Sequence, residues 1–184
     1  GALSPRRFPL PWKTTRMLLL SLLDALAHAH ARGVIHRDLK PGNVLLCSPD
    51  DPRPGLKLSD FGIAQPMSGA LHNDDGAGVD AHSGTPRYMA PEQFNGKARE
   101  LGPCTDLYAL VCIAFQLATG NAPFSGELLR LAVAHCHDPV PTLVPALESF
   151  PPGFEAWVLR LLEKEPRHRF RVAADAAGAL LQLT

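Results

Sequence analysis

The chain has 184 residues, 46% hydrophobic and 20% charged, with 18 lysines and arginines against 18 aspartates and glutamates. That length and composition supply one domain with a real core and exclude a disordered chain. Zero formal net charge argues against nucleic acid as the main partner, since neutralising phosphates needs surplus cations. With 18 prolines, about twice the average usage of ~5%, the chain is rich in turns and is not one long bundle of unbroken helices. Cys47, Cys104, Cys112 and Cys136 form no C-x-x-C pair and read as free thiols in a reducing, cytoplasmic compartment. The N-terminal stretch of these residues lacks the small-residue cleavage site expected of a secretory leader. The apolar run from Met17 to Leu23 is interrupted by Ser21 and stopped by Asp24, too short for a ~20-residue membrane span.

Residues 1–12, with Pro5, Pro9 and Pro11, read as an extended lead-in carrying the basic pair Arg6 and Arg7. From Lys13 to Arg32, Leu18, Leu22, Leu26 and Ala29 recur on one helical face, and Gly33 stands where a left-handed cap would end the helix. His28 and His30, two apart on that helix, diverge and are given ordinary surface or packing roles. The period then changes. Val34-Ile35 and Val44-Leu45-Leu46 flank a polar loop, and the turn-rich stretch at 47–55 leads to a second short apolar piece, which together predict a hairpin. Residues 66–83, rich in Gly, Asp, His and Ser, show no period and read as a loop. A buried helix is expected over Thr105–Thr119, ended by Gly120. Further helices are expected over Gly126–His137, Gly153–Lys164 and Val172–Leu183, linked by proline-rich segments. The fold class is therefore α+β, mainly helical, with one small hairpin in the middle.

The hairpin carries the polar residues of chemical interest. Asp38, Lys40 and Asn43 lie on one tight loop shaped by Pro41 and Gly42, and Asp60 lies on the other arm. A carboxylate and an amide oxygen brought together make a hard oxygen site suited to Mg²⁺. A second carboxylate can accept a hydroxyl proton, and a lysine between them can neutralise a phosphoryl group in flight. Phosphoryl transfer from a nucleotide needs such a set, because it is mainly positioning and charge stabilisation.

The segments HRDLKPGN at 36–43, DFG at 60–62 and APE at 90–92, with GTPRYMAPEQ intact, resemble the catalytic loop, metal-binding loop and activation-segment end of eukaryotic-like serine/threonine protein kinases. The resemblance covers about residues 13–183 and is closest in style to bacterial members. It implies the large C-terminal lobe of the kinase fold over 13–184, ATP and Mg²⁺ as cosubstrate and cofactor, and protein Ser/Thr hydroxyls as acceptors. It further implies Asp38 as catalytic base, Lys40 at the γ-phosphate, Asn43 and Asp60 as Mg²⁺ ligands, and Leu45 beneath adenine. Thr85, hydrogen-bonding near Asp38 and Lys40, points to Ser/Thr rather than Tyr acceptors. His36 and Phe61, followed by Gly62, would stack in the column that aligns the site. Glu92 would pair with Arg169, and Asp106 would hold the backbone of the catalytic loop.

The chain also departs from the family. No G-x-G-x-x-G loop with a strand lysine occurs in these residues, so the small N-terminal β lobe is expected to be absent and upstream sequence to be needed for full activity. Arg37 suggests clamping of a phosphorylated loop residue. Outside the GT pair, however, only Ser68, Ser83 and Tyr88 carry hydroxyls between Asp60 and Glu92. Asp74, Asp75 or Asp80 could supply fixed negative charge instead. Two competing readings stay open: a non-catalytic pseudokinase or regulatory fragment, and a small-molecule phosphotransferase. His135-Cys136-His137 is a weak metal candidate, because adjacent side chains on a helix diverge.

Overall fold

The computed structural model describes residues 9–48, 50–52, 54–61, 85–143 and 149–183, with residue 85 described by its backbone only. Six helices and one hairpin lie within them: α1 (Trp12–His30), β1 (Val44–Cys47), β2 (Gly55–Leu58), α2 (Pro91–Phe94), α3 (Pro103–Thr119), α4 (Leu128–His137), α5 (Phe154–Leu161) and α6 (Ala173–Leu181). Single 3₁₀ turns at Pro41–Asn43, Thr85–Tyr88, Ala98–Glu100 and Pro166–His168 fill the connections. This is the mainly helical architecture, with one small hairpin, expected of a kinase C-terminal lobe.

The central post is α3, buried along nearly its whole length from Thr105 to Ala118. A helix apolar on all sides belongs inside a molecule, and α1, α5 and α6 pack around this one. Its start is set by Pro103 at the first helical position, where the missing N–H costs nothing. The Thr105 hydroxyl accepts from the Gly102 amide at 3.1 Å. It ends at Gly120, whose φ of 86° closes the last turn in the left-handed region that favours glycine.

α1 lays Leu18, Leu19, Leu22, Leu23 and Leu26 into the same core. Truncating one of these to alanine costs roughly 2–5 kcal/mol. Gly33 sits at φ 73°. Its amide bonds the His30 carbonyl at 2.9 Å and the Val34 amide bonds that of Ala29 at 3.1 Å, the paired bonds of a Schellman cap. At the other end Trp12 stacks edge-on against Phe150 and Phe154, so the helix begins inside the segment read as a lead-in. Between α5 and α6 the Trp157 indole donates to the Ala176 carbonyl at 2.9 Å.

β1 and β2 pair antiparallel with Val44 opposite Leu58 and Cys47 opposite Gly55. Two strands are marginal alone. Val44 is fully buried and Leu56 and Leu58 pack on the helical core, which anchors the pair. The short α2 and the 3₁₀ turns were not anticipated, being too short to show a period. The predicted loop over 66–83 lies outside the described residues.

Candidate active site

The site is built on the loop entering β1 and the end of β2. The 3₁₀ turn at Pro41–Asn43 folds the chain back, and the Ser59 amide bonds the Asn43 carbonyl at 3.0 Å. The ladder therefore delivers Asp60 beside the Asn43 turn. Within the loop, the Lys40 ammonium donates to Asp38 Oδ2 at 2.8 Å. The Asn43 amide nitrogen donates to the Asp38 carbonyl at 2.9 Å and reaches its Oδ2 at 3.4 Å. Those two acceptors fix the sense of the amide, so its oxygen faces away from Asp38 and is free to accept or ligate. Asp38 Oδ1 is buried without a hydrogen-bond partner among the described residues, an acceptor waiting for a donor. Asp60 is exposed, its Oδ2 accepting from the Ser59 hydroxyl at 3.2 Å. Among the described residues no cluster of three or more His, Cys, Asp or Glu forms a self-sufficient metal cage. One amide oxygen and one carboxylate beside a phosphate suit Mg²⁺, which keeps few protein ligands.

Beneath the loop lies Asp106, buried in the first turn of α3. Its Oδ2 accepts from the His36 amide and from His30 Nε2, and its Oδ1 from the Arg37 amide, all at 2.8 Å. Arg37 has φ 64° and Asp60 φ 53°, a region costly for residues with a Cβ. Arg37 is held there from both sides, because Gln93 Nε2 donates to its carbonyl at 2.8 Å. His36 Nε2 donates to the Ser59 carbonyl at 3.0 Å, and its ring lies 4.6 Å from that of Phe61. The loop and the β2 end are thus tied by one imidazole.

A second anchor stands behind α2. Arg169 meets Glu92 with two bonds, Nη1 to Oε1 at 2.8 Å and Nη2 to Oε2 at 2.9 Å. Both side chains are 0% exposed. The Thr105 hydroxyl donates to Glu92 Oε1 at 2.9 Å, and the remaining guanidinium hydrogens go to the carbonyls of Cys104, Glu163 and Lys164. A buried pair satisfied this fully is costly to break.

Sequence reasoning named Asp38, Lys40, Asn43, Asp60, His36, Phe61, Glu92, Asp106 and Arg169, and the structure brings them into these two connected networks. Leu45 sits half-buried in β1. Thr85 opens its 3₁₀ turn, but its side chain, Gly62, Ser68, Asp74, Asp75, Asp80 and Ser83 lie outside the described residues. Tyr88 is committed elsewhere: its hydroxyl donates to Gln116 Oε1 at 2.7 Å, and burial pushes its pKa up to about 12. Three roles were missed. His30, given only a surface or packing role, fastens α1 to Asp106. Gln93 links α2 to the catalytic loop. His135 is buried among the rings of Phe94, Tyr108 and Phe124, with Nδ1 2.9 Å from the Tyr108 hydroxyl. Burial and nearby Lys164 hold its pKa down at about 4. It is a packed neutral histidine and shares no ligand set with His137. The cysteines are free, and burial raises the thiols of Cys104, Cys112 and Cys136, which keeps them protonated and unreactive.

An open cleft of about 800 Å³ lies between α1 and β2, lined by Asp24, His28, Leu56, Lys57 and Phe61 among others. Phe61, which stacks on His36, is shared with the candidate catalytic centre, whereas Asp38 and Asn43 do not line the cleft. Among the described residues no helix is long and apolar enough to cross a membrane.

Comparison with known proteins agrees with this geometry. The family model described as protein kinase domain matches residues 2–178. The chain is 42% identical over 164 residues to the serine/threonine-protein kinase Pkn1 of Myxococcus xanthus, covering 89% of this chain and 23% of that protein. It is 35% identical over 176 residues to PknA of Mycobacterium tuberculosis, covering 91% and 38%. It is 35% identical over 183 residues to PknF of the same species, covering 95% and 36%. The chain spans less than two-fifths of the length of each of these relatives. With its catalytic-loop, DFG and APE segments in place, this chain belongs to the protein kinase domain family and is similar to the serine/threonine kinases of bacteria.

Proposed function

We propose that these residues form the catalytic half of an ATP-dependent kinase that phosphorylates protein Ser/Thr hydroxyls. The observation that carries the reading is the meeting of Asp38, Lys40 and Asn43 in one turn, with Asp60 delivered beside it by the β ladder. Asp38 orients the acceptor hydroxyl and takes its proton, and its buried unpartnered Oδ1 is an acceptor available for that bond. The deprotonating oxygen attacks the γ-phosphorus, and ADP leaves. Lys40 spreads the negative charge on the moving phosphoryl group. The Asn43 amide oxygen and the Asp60 carboxylate are the groups suited to hold Mg²⁺, which when bound neutralises the phosphate charge. Leu45 supports the adenine. By resemblance, Thr85 favours Ser/Thr acceptors, and Arg37 would take negative charge from Asp74, Asp75 or Asp80.

No glycine loop and strand lysine occur in these 184 residues, so on this reading an upstream lobe completes the nucleotide side. The decisive assay measures phosphate transfer from radiolabelled ATP to casein, by the chain alone and joined to such a lobe. The chain alone is expected to be weak, and the joined protein active and silenced by D38N. Nucleotide binding without Asp38-dependent transfer favours the pseudokinase reading.

A further inference from the structure

The side chain of Gln93 makes two bonds in opposite directions. Its Oε1 accepts from the Ala90 amide at 3.0 Å, which caps α2. Its Nε2 donates to the carbonyl of Arg37 at 2.8 Å, 56 residues away in sequence. Arg37 is the residue immediately before Asp38, and its φ of 64° is one that a side chain with a Cβ adopts only when its surroundings impose it. Asp106 restrains the Arg37 amide, and Gln93 restrains the other end of the same residue, at the peptide bond to Asp38. The next residue back along α2, Glu92, is clamped by Arg169, so the amide that reaches Arg37 is presented from a fixed base.

We infer that Gln93 is a positioning residue of the catalytic loop, holding the peptide plane between Arg37 and Asp38 so that seating of α2 is passed to the catalytic carboxylate. The inference deepens the kinase reading and rests on it for its meaning, although the positioning itself can be measured without activity. Gln93 is only half-buried, so its replacement leaves the core intact. A carbonyl cannot donate, so the bond to Arg37 requires an N–H or O–H at this position. Gln93→Glu keeps an oxygen for the Ala90 amide but turns a carboxylate toward the Arg37 carbonyl. Protonation of that carboxyl, near its ordinary pKa of about 4.3, gives back a donor.

The test compares amide NMR spectra of the 184-residue chain as wild type, Q93E and Q93A, each against wild type at the same pH so that contributions from the charged and polar groups all three share around Arg37, among them Asp38, Asp106 and His30, cancel. At pH 7 the Arg37 and Asp38 amides of both variants are expected to move while those of α1 and α6 do not. Towards pH 4 the Q93E amides are expected to return to the wild-type positions and the Q93A amides are not. In the lobe-restored protein, Q93E at neutral pH is expected to lower kcat on casein roughly fivefold with KM little changed, the size of one lost hydrogen bond. Unmoved Arg37 and Asp38 amides at pH 7 overturn the inference, as does a displacement in Q93E that acid leaves in place. A wild-type protein that transfers no phosphate counts against the kinase reading, and the NMR comparison then decides the positioning alone.

Discussion

The two acidic centres of this molecule are built in opposite ways. Around Asp106 and Glu92 every oxygen is spoken for. Asp106 takes three donors at 2.8 Å, and Glu92 is bound twice by Arg169 and once by Thr105. At the proposed reacting edge, Asp38 keeps one oxygen buried and unpartnered among the described residues, and Asp60 stands exposed. Fully satisfied polar networks in a low-dielectric interior rigidify what they hold. An acceptor left waiting is affordable only where the rest is fixed. The contrast separates residues that hold the loop from residues that use it, and it predicts which substitutions cost stability and which cost only chemistry.

The sharpest way to break the contrast is at the buried pair. Glu92→Ala strands the Arg169 guanidinium in the core and is expected to cost roughly 3–5 kcal/mol. That is on the order of a 10 °C fall in the unfolding midpoint for a domain of this size, read by calorimetry. An unchanged midpoint removes the pair from the account of the fold.

Next in size is the buried imidazole of α4. His135 has its pKa lowered to about 4 by burial, against about 6.5 in an unfolded chain. Its stabilising contribution is therefore complete above about pH 6.5, falls as acid protonates the unfolded chain first, and is gone below about pH 4. The span corresponds to about 3 kcal/mol. The wild type is expected to lose midpoint between pH 7 and 4.5 more steeply than His135→Phe, measured side by side. Parallel curves contradict the assignment.

The tether at Asp106 should come third. Asp106→Asn keeps one acceptor oxygen but turns an amide N–H₂ toward the donors. It is expected to cost about 2 kcal/mol, the scale of a charged hydrogen bond lost inside. The smallest stability effect is expected at the reacting edge. Asp38→Asn should change stability by no more than about 0.5 kcal/mol while abolishing phosphate transfer by the lobe-restored protein.

Much of this arrangement was legible in the sequence. The leucine period of α1, the glycines at 33 and 120, and the alternation of helix and hairpin are local signals, and the elements appeared within a few residues of their expected bounds. The loop motifs named Asp38, Asn43 and Asp60 by resemblance. What escaped was tertiary. His30 finds Asp106 across 76 residues, Gln93 finds Arg37 across 56, and His135 finds Tyr108 across 27. No local period marks such contacts, and a lone histidine or glutamine on a helix is usually just packed or solvated. The four residues of α2 were too few for a 3.6-residue pattern to be read.

On the proposed function, Asn43 and Asp60 share one cation beside a nucleotide. The most direct measurement adds Mn²⁺ with ADP to the isotopically labelled chain and follows paramagnetic broadening. Selective loss of the Asn43 side-chain amide signal and the Asp60 backbone amide, weakened in Asn43→Ala, is the predicted result. Broadening that spares both and falls elsewhere on the surface contradicts it.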